Sequence, residues 1–200
     1  MDVTATSTLT PDSGIDRIFG PVVERRTYLN LLYGLVAFPW GLMTFVMMIV
    51  GLATGVGLAI IVVGFVILAL TLALARVFAA VERALAGSLL GASFETSRPR
   101  VDLRAGLSDA RSWTSAAYFI LRFPLVVMHF VASVLMLASI TLLAAPLLYN
   151  VFPLMVAGER VTSSEEAILV SLIGCVLFLL CVHAVNALAA GARRLAVALL

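Results

Sequence analysis

Four long stretches of this 200-residue chain carry almost no charge, and they dictate the solvent in which it can fold. The first runs from Tyr28 to about Leu52, and the second from about Val56 to Ala75, ending at Arg76. The third runs from near Trp113 to about Leu148, broken at Pro146, and the fourth from near Ala167 to about Ala190. A helix needs ~20 apolar residues to cross the hydrocarbon core of a bilayer, and each stretch meets that length. Apolar residues make up 62% of the chain and charged ones 12%. A soluble domain of this size cannot bury that much apolar side chain, and the remainder would face water. The expected fold class is therefore all-α and polytopic, with four transmembrane helices arranged as two helical hairpins. A soluble globular enzyme and a disordered chain are both excluded. Ala53, Thr54 and Gly55 are the expected tight turn of the first hairpin.

The remaining segments are short. Residues 1–14 are rich in Ser, Thr and Asp and read as a disordered tail without a secretory signal. Residues 15–26 mix Ile15, Ile18, Phe19, Val22 and Val23 with charges and read as an interfacial lead-in. The polar linker covers about 92–109 and separates a first repeat, about 15–91, from a second, about 110–200. Before it, Phe78, Val81, Leu85 and Leu89 form one apolar side, with Glu82 and Arg83 elsewhere, which suggests an amphipathic collar at the membrane surface. Residues 191–200 are expected to form its counterpart. Ser163 and Glu166 have the spacing of a capping box at the start of the fourth stretch.

All thirteen basic residues are Arg, and eleven of them fall in segments that four alternating crossings place on one side. The positive-inside rule then predicts cytoplasmic N- and C-termini in the plasma membrane. An offset of 85 residues lays the first stretch on the third: Arg26 on Arg111, Tyr33 on Tyr118, Phe38-Pro39 on Phe123-Pro124, and Phe45 on Phe130. An offset of 110 aligns Arg83 with Arg193 and Leu89-Leu90 with Leu199-Leu200. With both copies starting on the same side, the repeat is expected to be parallel, with its pseudo-axis along the membrane normal.

Arg25-Arg26-Thr27-Tyr28-Leu29-Asn30-Leu31-Leu32-Tyr33, Phe38-Pro39-Trp40-Gly41, the exit from Glu82 to Gly91, Arg111-Ser112-Trp113 and Phe123-Pro124 resemble the Putative sensor family. That family is a four-helix membrane module of haloarchaeal and actinobacterial proteins, often placed ahead of a two-component histidine kinase. The resemblance covers about residues 15–200. It implies a non-enzymatic sensor that relays an envelope or membrane-borne stimulus to a cytoplasmic effector such as a histidine kinase. No phosphoacceptor or ATP-binding domain follows the four helices in this sequence, so the effector is expected to be a separate chain or a fused continuation.

Ionisable groups at membrane depth are costly and mark function or pairing. Arg122, His129 and His183 are the groups at that depth, and with Asn186 they form the candidate signal-coupling seam between the third and fourth stretches. His183 lies at about the depth of Arg122, so His183 or Asn186 is the expected acceptor for its guanidinium. Pro39 and Pro124 are candidate hinges. Cys175 and Cys181 lie six apart on different helix faces and read as buried thiols. No catalytic motif, metal-ligand spacing or cofactor loop occurs, and the arginines are too scattered for a nucleic-acid surface. The expected partners are the lipid bilayer, a cytoplasmic effector and, where the chain dimerises, a second copy. The competing readings are a small transporter or channel subunit and a structural partner of another membrane protein.

Overall fold

The computed structural model describes residues 20–90, 110–150, 155–156 and 158–200. The expected tail at 1–14 and linker at 92–109 lie outside the described residues. Four long helices form the body: α1 (Arg25–Gly57), α2 (Val62–Leu90), α3 (Ala110–Leu143) and α4 (Ser164–Leu199). All four are long and apolar enough to cross a membrane.

Their side chains are sorted for oil rather than water. Leu42, Met43, Val46, Met47, Ile49 and Val50 on α1 point outward, as do Ile168, Leu169, Leu172, Ile173 and Val176 on α4. The interior holds Thr27, Asn30, Thr44, Thr71, Glu82, Ser112, Ser115, Arg122, His129, Ser133 and Ser139. A polar interior under an apolar surface is stable only where the surroundings cannot hydrogen-bond and hold no hydrophobic driving force of their own. The chain is a multi-pass membrane protein.

The helices end where local chemistry requires. α1 runs through the expected turn at Ala53–Gly55 and stops at Gly57, and the reversal occupies residues 58–61. Gly55 lets the α2 backbone cross closely there: a Cβ on it would lie 3.1 Å from Leu68 Cα. Pro146 terminates nothing by itself; α3 ends at Leu143, and a single helical turn, Ala145–Leu148, carries the proline near its start, where a missing N–H costs nothing. Two short strands, β1 (Met155–Val156) and β2 (Glu159–Arg160), pair antiparallel with Gly158 at φ +89° in the connection. The capping box forms as expected. Glu166 N donates to Ser163 Oγ, and Ser163 N donates to Glu166 Oε2.

The relation between the hairpins differs from expectation. Phe38 stacks on Phe130 with 4.1 Å between ring centroids, and Phe45 on Phe123 with 4.0 Å. Gly41 packs against Val126, and Gly34 against His129 and Ser133. Numbers on α3 fall as numbers on α1 rise, so the two helices are antiparallel. Under the 85-residue offset, the pair Phe38–Phe130 becomes Phe123–Phe45, and Gly41 faces its own counterpart Val126. The pseudo-twofold therefore lies across the helices, not along them. Alternating crossings and an Arg count imply a parallel repeat, but neither senses lateral partners. Close approach decides instead, through Gly34 and Gly41 and the two Phe stacks they admit.

α2 and α3 consequently run the same way: Phe78 meets Phe119 (6.2 Å between centroids), Glu82 meets Arg122, and Ala86 packs in one cluster with Val126. The start of α3 sits toward the α1–α2 turn, with Ala116, Tyr118 and Phe119 packed among Met48, Leu68 and Leu72. Arg111 thus lies toward the end opposite Arg25 and Arg26, against the single arginine-rich side expected for both.

Thiol crosslinking tests this arrangement. In a background where Cys175 and Cys181 are Ala, F38C/F130C and F45C/F123C should each be joined by a short bifunctional thiol reagent. The F38C/F123C pair, which a parallel repeat would bring together, should stay open.

Candidate functional site

The centre of the bundle holds an ion pair shut away from solvent. Glu82 of α2 and Arg122 of α3 are 0% and 1% exposed, and Arg122 Nη2 lies 2.7 Å from Glu82 Oε1. Burial follows from the stripe Ala75, Ala79, Glu82, Ala86, whose heptad-like spacing turns all four inward. Three alanines let α3 approach, and the fourth position delivers the carboxylate to it.

Two tyrosines complete the cluster. Tyr33 of α1 accepts from Arg122 Nη2 at 2.9 Å and donates to Glu82 Oε1 at 3.1 Å. Tyr118 of α3 donates to the same carboxylate oxygen at 3.4 Å. The guanidinium carbon sits 6.0 Å from the Tyr33 ring centroid and 5.8 Å from that of Tyr118, within the reach of cation–π attraction. Tyr33 and Tyr118 are counterparts under the 85-residue offset, so the repeat supplies both flanks of one charge pair. The pair itself breaks the symmetry. The same offset relates Arg122 to Ala37, and the 110-residue offset relates Glu82 to Ala192; those alanines pack with Tyr33, Val126 and Ala189.

The cluster is incompletely satisfied. Glu82 Oε2, Arg122 Nε and Arg122 Nη1 are buried without a hydrogen-bond partner. His129 is 2% exposed and continues the polar line along α3. Its ring meets Tyr33 at 5.7 Å, while Nε2 has no hydrogen-bond partner. A second network lies toward the start of α1. Asn30 Nδ2 donates to Asn186 Oδ1 at 2.7 Å, and Asn186 Nδ2 donates to Thr27 Oγ1 at 3.0 Å.

The expected seam between α3 and α4 is thus redistributed. Arg122 and His129 face α1 and α2, and Asn186 bonds α1. His183 points outward and joins none of them. The acceptor for Arg122 is Glu82, which the sequence pattern sets on the solvated side of the collar; its place within an alanine stripe is the signal that could have found it. Pro39 and Pro124 both lie inside continuous helices with their rings exposed. Among the described residues no group of His, Cys, Asp and Glu is placed to hold a metal ion. The site offers no nucleophile beside a base. It is a charge latch joining three helices.

Removing one partner of a buried pair strands the other in a low dielectric, at about 3–5 kcal/mol, whereas replacing both by apolar residues is near neutral. Glu82→Leu and Arg122→Met should each lower stability by about that amount in detergent unfolding, and the double variant should recover most of it. Gly34→Ala should cost about 1–3 kcal/mol by the same measurement, because its Cβ would collide with Ser133 Oγ and the His129 ring.

No curated protein and no solved structure matches the chain. Its residues 33–200 do match the family model described as Putative sensor. That span contains every member of the ion-pair cluster, and the chain belongs to this family.

Proposed function

We propose that the chain is a non-enzymatic sensor module whose two states are the closed and opened forms of the Glu82–Arg122 latch. The observation that carries this reading is the latch's own chemistry. A fully satisfied buried network rigidifies a core, whereas each unpartnered buried polar atom subtracts from the stability of the closed form. Three unpartnered buried atoms on two charged side chains describe the second case. Each long helix but α4 contributes a hydrogen-bonding group, so a shift of any of the three alters the pair. A membrane-borne stimulus needs only to bind or compress the two states differently. Bending at Pro39 and Pro124 accommodates the change, and the end of α2, beside the start of α1, passes it to a cytoplasmic effector such as a histidine kinase. The start of α1, with Arg25 and Arg26, is assigned to the cytoplasmic interface of a plasma-membrane protein by its positive charge.

The test places spin labels at the exposed positions Val81 and Leu121, one on each helix of the pair. Distances are read in nanodiscs of thin, thick and lysolipid-doped bilayers. Two distance populations whose weights change with lipid are expected, with the Glu82→Leu/Arg122→Met variant collapsed onto one. A single population, unmoved in every bilayer, would refute the sensor mechanism. Saturable, substrate-specific flux through liposomes carrying the protein would establish the transporter reading in its place.

A further inference from the structure

A cavity of about 300 Å³ opens where the start of α1 meets the last third of α4. Its charged lining is Glu24, Arg26 and Arg193, and its floor is Asn30 and Asn186. Pro21, Ala189 and Ala190 supply the apolar wall. Neither Arg26 nor Arg193 has a hydrogen-bond or ion-pair partner among the described residues, although Glu24 lines the same space. Asn30 is 4% exposed and uses one amide hydrogen on Asn186. The cavity therefore presents two uncommitted guanidinia, two amide side chains and an apolar wall beside the start of α1.

We infer that this cavity binds the phosphodiester of an anionic headgroup, held by Arg26 and Arg193, with the headgroup's hydroxyls turned to Glu24 and the Asn30–Asn186 amides. Guanidinium forks suit phosphate oxygens, and two of them line this cavity. The lining carries a net charge of one positive unit, from Arg26, Arg193 and Glu24. That balance favours a singly charged diester over a doubly charged monoester. A glycerol headgroup brings hydroxyl donors that a carboxylate and amide oxygens can accept. The volume is at the lower end for small-ligand sites and fits a headgroup rather than a whole lipid. The Ala189–Ala190 wall and the outward apolar face of α4 leave the acyl chains in the bilayer. Binding here does not depend on the sensor reading. It connects to it because Asn30, hydrogen-bonded to Asn186, lies one helical turn before Tyr33 of the latch.

The experiment uses the full chain in nanodiscs and reads the motionally restricted fraction of spin-labelled phosphatidylglycerol against spin-labelled phosphatidylcholine. The intact protein should favour phosphatidylglycerol about fivefold or more. Arg26→Gln/Arg193→Gln should bring that preference close to unity. So should Ala190→Trp, which fills the cavity without touching a charge. Arg25→Gln/Arg194→Gln removes the same charge from neighbours outside the cavity lining and should leave the preference within twofold of the intact protein. Soluble glycerophosphoglycerol separates the sources: displacement of the labelled lipid shows a site that also takes the free diester, and no displacement shows one that needs the lipid. Unchanged preference in Arg26→Gln/Arg193→Gln, or equal loss in Arg25→Gln/Arg194→Gln, would overturn the site. Failure here leaves the latch populations at Val81 and Leu121 unaltered, so the two readings fall separately.

Discussion

Two opposite charges held inside a helical bundle govern the rest of this structure. Bringing Glu82 and Arg122 out of water costs several kcal/mol for each ion, and their attraction at 2.7 Å offsets that only with help. The help comes from Tyr33 and Tyr118, which share the same carboxylate oxygen. Each tyrosine is nearly inaccessible, as are both charges. The bundle must therefore keep α1, α2 and α3 in register at one level. The alanines of α2 and the glycines of α1 are the small residues that make this register reachable. Helix association in lipid draws on contact of this kind, because oil offers no hydrophobic drive between apolar surfaces.

The pseudo-twofold packing of α1 and α3 and the latch are two layers of one arrangement. Phe38, Phe45, Phe123 and Phe130 exchange partners across the pseudo-twofold, and Gly41 and Val126 sit on it. The charge pair does not follow that symmetry. Arg122 stands where the other copy has Ala37, and Glu82 where the other has Ala192. The polar centre consequently draws a base from one repeat and an acid from the other. Movement between the repeats acts directly on that pair.

Much of the architecture was legible in the sequence. Apolar length alone marked four helices, and Ser163 with Glu166 marked the start of the last. Arg122, His129 and Asn186 stood out because a polar group at depth needs a partner. Identifying the partner was another matter. Glu82 lies past the apolar run of α2, in a segment whose charges suggested an interfacial collar, and Val81 rather than Glu82 proves to face outward. A helical wheel centred on large apolar residues picks the wrong face there, because the buried stripe is built of alanine. His183 erred in the opposite direction: matching depth says nothing about azimuth, and its ring points outward. The direction of α3 relative to α1 was hidden for the same reason. Charge counting reports on loops, while Gly34 and Gly41 report on neighbours only once a neighbour is known.

The outward-facing prolines of α1 and α3 have a mechanical corollary. Each ring pushes against the carbonyl four residues earlier, on Leu35 and Ile120, and removes the hydrogen bond that would hold that turn shut. Because Pro39 and Pro124 are pseudo-equivalent, each of the two helices carries one missing backbone bond at the matching place on its outward face. Flexing is cheapest there, on the lipid side, while the inward faces stay joined by the Phe38–Phe130 and Phe45–Phe123 stacks.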